Sequence, residues 1–206
     1  MIEARLPLFP LEVVMFPGSA LPLHIFEDRY KTLINESISR NTEFGINLVT
    51  EKSIADVGCT AIVRDVVKRY DDGRMDIVVR GSRRYRLHRC MEGEAPYLMG
   101  MVEFLSASPD LPDPALSENT IILYNRLVSA VYKGKTRELP PHLSTPELSF
   151  LLAQKSGMEL ARRQKLLETE SENVRLRMIH DFLSEMVPKL EHAGEIKRVI
   201  KGDGYL

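Results

Sequence analysis

The apolar positions along this chain change period part-way through. In the first half they alternate: Glu43–Val49 reads EFGINLV, with Phe44, Ile46 and Leu48 on one side. A period of two predicts a half-buried strand. Val57–Tyr70 is rich in β-branched residues, and Arg74–Gly81, Arg83–Cys90 and Tyr97–Leu105 supply further short runs. Such side chains fit a pleated, half-buried surface. Asp71-Asp72-Gly73 separates the first two of these runs and predicts a hairpin, because glycine accepts positive φ. One helix is expected here: Phe26, Tyr30, Leu33, Ile34 and Ile38 recur at helical spacing, and Asn41 ends the pattern. Many short strands with one helix predict a closed or half-closed barrel, which removes exposed strand edges.

Ser106–Ala115 reads SASPDLPDPA, and its prolines stop both strand and helix. Beyond it the period becomes helical. Leu116–Tyr132 carries Ile121, Leu123, Tyr124, Leu127, Val128 and Val131. Thr145-Pro146-Glu147 is expected to open a second helix, with threonine as cap and proline in the first turn. Gly157–Glu168 and Ser171–Val187 give two more, and Pro188 is expected to limit the last. Helices of these lengths make a small antiparallel bundle. The expected division is therefore a β-rich domain over 1–105, a linker over 106–115 and a helical bundle over 116–206.

Composition narrows the function classes. The chain has 206 residues, 44% hydrophobic and 28% charged, with a formal net charge of −1. That is an ordinary globular balance, and nothing global calls for nucleic acid or an anionic membrane. No apolar run reaches the roughly 20 residues of a membrane span. MIEARLPLFP, with an acid and an early proline, does not read as a signal peptide. Cys59 and Cys90 each fall in an expected strand and read as reduced thiols of a cytoplasmic protein.

Candidate chemistry is sparse. Gly134-Lys135-Thr136 resembles the end of a phosphate loop, but Ser129 stands where that motif needs its first glycine, and a helix rather than a strand precedes it. The histidines His24, His88, His142, His180 and His192 include no pair spaced for one helical face, and neither cysteine has a close second one. No metal and no cofactor is expected. No serine sits in a Gly-x-Ser-x-Gly turn. Catalysis has no address in the sequence.

Two surfaces carry binding hypotheses. Basic residues outnumber acids around the hairpin, and Lys68, Arg69, Arg83, Arg84 and Arg86 are candidates for RNA phosphates. The competing reading is an outward strand face partly neutralised by Asp65, Asp71, Asp72 and Asp76. The second surface is Leu6–Leu23, where Pro7, Pro10, Pro17 and Pro22 interrupt pairing among large apolar residues. It can close the barrel's own core, or leave an apolar groove beside unpaired backbone that accepts an extended peptide. The peptide-contact candidates are Met15, Phe16, Leu21, Leu23 and Phe26.

The same segment carries a resemblance. LPLFPL at Leu6–Leu11, FPG at Phe16–Gly18, LPL at Leu21–Leu23 and IFEDRY at Ile25–Tyr30 closely resemble the start of the N-terminal, substrate-binding domain of the ATP-dependent Lon protease. Further matches are Gly58 with Thr60 and Ala61, Asp72-Gly73-Arg74, Gly81 followed by Arg84-Tyr85-Arg86-Leu87, and Lys165–Glu168. The resemblance spans about residues 5–190. It implies an α+β fold, a PUA-like pseudo-barrel with one helix followed by a helical bundle. It also implies recognition of unfolded polypeptide. The ATPase and serine–lysine peptidase modules of that protease are not in this sequence, so a small, standalone, noncatalytic polypeptide-binding protein is expected, acting as an adaptor or chaperone-like partner of a protease. The alternative is a PUA-like RNA-binding protein.

Overall fold

In the computed structural model of the chain, residues 3–51, 53–107, 110–132 and 136–202 are described, and side chains of the last helix as far as residue 193. The fold is α+β, with a six-stranded sheet and several helices. It divides into two compact units, Met1–Ser106 with Leu160–Glu168, and Ala107–Glu159 with Thr169–Leu206.

The first unit holds β1 (Glu3–Leu8), β2 (Ala20–Ile25), α1 (Asp28–Arg40), β3 (Phe44–Ile46), β4 (Val57–Arg69), β5 (Met75–Met91) and β6 (Leu98–Phe104). The strand order is β2-β5-β4-β3-β1-β6, and β6 also pairs with β5. The strands from β5 round to β6 therefore close a ring, and β2 lies outside it. β5 makes this possible by being long. Its residues 75–80 pair with β2, while residues 85–91 pair with β6.

Inside the ring Tyr85 is fully buried with Leu8 and Val102. Its hydroxyl donates to Asn47 Oδ1, and Asn47 Nδ2 donates to the Ala55 carbonyl at 2.9 Å. Burial pushes the Tyr85 phenol well above its ordinary pKa, so it stays a donor. The ring needs room for this side chain. At Gly58 a Cβ would lie 2.6 Å from Tyr85 Cζ and 2.7 Å from the Ile46 carbonyl oxygen, closer than real atoms approach.

Local signals place several elements. Gly73 has φ 82°, Tyr70 N–H donates to Arg74 O at 3.0 Å, and Gly73 N–H donates to Tyr70 O at 3.0 Å. This is a three-residue hairpin loop with glycine in the left-handed position. α1 stops at Asn41, whose φ of 50° turns its N–H back onto Ile38 and Ser37 carbonyls.

Other expectations are corrected. Arg74–Gly81 and Arg83–Cys90 are not two strands but the single β5. Gly81 is there because the Phe16 backbone approaches it, with the Phe16 carbonyl carbon 3.1 Å from where a Cβ would stand. Phe26 lies ahead of α1 instead of opening it. α4 (Leu160–Glu168) belongs to the sheet unit. It is held by Gln164 Nε2 donating to Val57 O at 3.0 Å, Arg163 to Val14 O at 3.2 Å, and the buried Arg84 to Leu167 O at 3.1 Å. Helical periodicity shows which face of a helix is apolar, not which core receives it.

The second unit contains α2 (Pro114–Tyr132), α3 (Leu148–Ala153) and α5 (Glu172–Gly202). α3 is not capped by Thr145: Glu147 takes φ 55°, and the helix starts after it. α5 is not ended by Pro188. Proline removes one hydrogen bond without ending the helix, and Val187 beside it is fully buried. The start of α5 is well capped. Asp110 accepts the N–H groups of Glu172 at 2.9 Å and Asn173 at 3.0 Å, and Ser171 Oγ accepts that of Val174 at 3.2 Å.

Candidate functional site

The hairpin of β4 and β5, with β2 beside it, extends past the ring as a three-stranded antiparallel sheet. The two outer edges differ. β3 reaches β4 only at residues 59–61, and from there outward no strand covers β4 among the described residues. That edge carries register shifts and the charged Arg64, Asp65, Lys68 and Arg69. Bulges and charges of this kind blunt a free edge against pairing. β2 is different. It pairs with β5 over six consecutive positions, Ala20↔Arg80 to Ile25↔Met75, without a shift, and no strand covers its other side among the described residues.

Side chains alternate across β2. Leu21, Leu23 and Ile25 lie opposite Val79, Ile77 and Met75 on the inner face, where Ile25 and the three β5 residues are buried. Leu21 and Leu23, at the rim, are only half-buried. Ala20, Pro22 and His24 are exposed on the outer face opposite Arg80, Val78 and Asp76. Just past the strand, Phe26 is 59% exposed and stacks on His24 at 6.0 Å between ring centroids. His24 Nδ1 lies 2.6 Å from Asp76 Oδ1, and the Tyr70 hydroxyl donates to Asp76 Oδ2 at 2.7 Å. The bond to His24, followed by that from Tyr70, holds the Asp76 carboxyl below the usual carboxylate range. Phe26 therefore rests on a ring that a carboxylate fixes in orientation.

Of the peptide-contact candidates, Leu21, Leu23 and Phe26 come together around the β2 edge. Met15 and Phe16 do not, being 3% and 0% exposed. The Phe16-Pro17-Gly18-Ser19 turn folds Phe16 inward. Ser19 N–H and Oγ both donate to Phe16 O, at 3.1 and 2.6 Å, and the Arg163 guanidinium lies 4.9 Å from its ring centroid. The meeting of Pro22, His24, Tyr70, Asp76 and Arg80 on one outer face is not among the sequence expectations. Only the cross-strand register brings them together, and no local pattern encodes it.

The basic candidates do not form one face. Arg84 is 3% exposed and donates to the Leu167 and Ser106 carbonyls at 3.1 Å each, so it is a core residue unavailable to phosphates. Arg83 pairs with Glu43 at 3.0 Å, and Arg69 donates to Asn35 at 3.2 Å. Lys68 sits opposite Asp76 and stacks 4.4 Å from the Tyr70 centroid, whereas Arg86 sits opposite Val57. At ~3.3 Å per residue those two points lie roughly 33 Å apart along β5.

Nothing in the described residues assembles a reaction centre. They contain no group of three or more metal-type side chains. An open cleft of about 480 Å³ in the second unit has its charged lining already engaged, Arg126 with Glu191 and Glu138 with Ser129. Gly134 and Lys135 of the phosphate-loop look-alike lie outside the described residues. No described helix is long and apolar enough to cross a membrane.

The model of the ATP-dependent protease La (LON) substrate-binding domain matches residues 5–185. The chain belongs to the Lon substrate-binding domain family. Lon protease of Anaeromyxobacter dehalogenans is 25% identical over 218 residues, covering 98% of this chain and 26% of that protein. Lon protease of Parabacteroides distasonis is 31% identical over 117 residues, covering 52% and 14%. The chain thus spans about a quarter of the length of the first of these Lon proteases. Among solved structures, the Lon N-terminal domain protein from Xanthomonas campestris superposes with a TM-score of 0.67 at 24% identity, covering 85% of this chain and 96% of that one. The N-terminal domain of the Mycobacterium avium complex Lon protease gives 0.65 at 19%, covering 88% and 98%. At these identities the two structures speak for the Lon-domain fold alone.

Proposed function

We propose that the protein is a noncatalytic polypeptide-binding module that takes extended, unfolded segments along the outer edge of β2, as an adaptor or chaperone-like component linked to proteolysis. The observation that carries this reading is the unshifted, uncovered edge of β2 with apolar side chains on both faces. A strand laid against it gains main-chain hydrogen bonds, and its alternating side chains meet Leu21 and Leu23 on one face and Phe26 on the other. Membership of the Lon substrate-binding family supports polypeptide as the ligand class. In this reading the strand ring with α1 is a PUA-like pseudo-barrel over residues 1–105, 106–115 is a linker, and the helices of the second unit form the bundle.

Titration with an unfolded apolar peptide tests it. The affinity should change little between low and high salt, because apolar contact is not screened. Leu23→Ala with Phe26→Ala should weaken binding at least tenfold while the circular dichroism spectrum stays unchanged. Unaltered affinity in that folded variant contradicts the proposal.

A further inference from the structure

Arg80 stands out on the outer face of the extension. It is exposed, and its guanidinium makes no hydrogen bond or ion pair with a described residue. Its cross-strand neighbour on the edge is Ala20. A methyl group there leaves the longer arginine free to reach over β2 toward whatever lies beyond. At the other end of the same face, Phe26 and His24 form an exposed aromatic step. Between them, Pro22 opposite Val78 is apolar and small.

Proline fits a paired strand where its nitrogen points away from the ladder. Pro22 therefore faces outward along with Ala20 and His24, and the edge lacks a donor at its middle. A strand docked here forgoes one main-chain hydrogen bond at Pro22, and main-chain bonds read no sequence, so its side chains must supply the selectivity. The face offers them a cation at the Ala20 end and an aromatic surface at the His24 end, four residues away.

We propose that the β2 edge selects extended segments bearing a carboxylate and a large apolar or aromatic residue four positions apart, the carboxylate seated on Arg80 and the apolar group against Phe26 and His24. The spacing follows from strand geometry. Residues at i and i+4 of an extended chain share a face and span about 13 Å, as Ala20 and His24 do, whereas residues at i and i+3 point to opposite faces. This deepens the docking reading above and rests on it.

The test uses the full chain and a matched set of fluorescent peptides of strand-forming composition: Asp and Phe at i and i+4, the same peptide with Asp→Lys, and one with Asp moved to i+3. The first should bind roughly fivefold tighter than either of the others at low salt, with the gap closing at high salt. In Arg80→Glu the preference should reverse toward the lysine peptide. Equal binding of all three to the unaltered protein overturns the selectivity while leaving strand docking in place. Failure of every peptide to bind overturns strand docking as well. An undiminished aspartate preference in folded Arg80→Glu removes Arg80 from the account.

Discussion

Tyr85 donates its phenolic hydrogen to Asn47 in the middle of the strand ring, and both residues are fully buried. A buried acceptor that loses its donor keeps its desolvation cost. Tyr85→Phe should therefore lower stability by about 1–3 kcal/mol in urea denaturation, though it removes one atom. Asn47→Ala should cost more, because it strands both the Tyr85 hydroxyl and the Ala55 carbonyl.

The same ring makes Gly58 a steric requirement. Gly58→Ala places a methyl group against the Tyr85 ring and the Ile46 carbonyl, and should destabilise by about 1–3 kcal/mol or more. The two sites should couple. In a Tyr85→Leu background the same substitution should cost less, and denaturation midpoints of the four proteins measure the difference.

The hairpin turn, the end of α1 and the β-then-α order were legible because each is written in adjacent residues. Gly73 can take positive φ where the loop requires it, and Asn41 does the same at a helix end. Gly81 misled because a glycine within a strand looks the same whether it ends the strand or admits a neighbouring backbone such as that of Phe16. Pro188 misled because a proline costs a helix one hydrogen bond, and burial such as that of Val187 beside it is set by tertiary packing that no local pattern encodes. The candidate site was legible only in part. The opening segment reads as apolar and proline-broken, but prolines erase the alternation that would separate buried Phe16 from exposed Phe26. The partnership of His24 with Asp76 spans 52 positions and exists only through register.

In the second unit Arg175 and Glu172 form a fully buried pair at 2.5 Å. Arg175 also donates to Ser149 Oγ at 2.8 Å and to the Thr169 and Glu170 carbonyls at 2.7 Å each. Arg175→Met leaves the Glu172 carboxylate buried without its cation and should cost about 3–5 kcal/mol. Adding Glu172→Gln should recover part of that loss, as read from thermal or urea unfolding.

Acid should loosen the outer face of β2. The Asp76 carboxyl is held low by His24 first and Tyr70 second. A folded pKa below the unfolded one gives a contribution that is complete above the unfolded value and is lost as pH falls through the folded value. The stability difference between the native protein and Asp76→Asn should shrink as pH falls below about 4. The Tyr70 phenol is raised, chiefly by its bond to Asp76, so its contribution holds below the ordinary tyrosine value and fades as pH rises through the raised one. Urea denaturation across pH gives both limbs.

Backbone hydrogen exchange on β2 tests the docking edge most directly. With a saturating unfolded peptide, the amides of Ala20 and His24 should gain strong protection, while those on the outer side of β4 at residues 63–69 stay as they were. A peptide that binds and leaves the exchange of β2 unchanged would contradict strand addition at this edge.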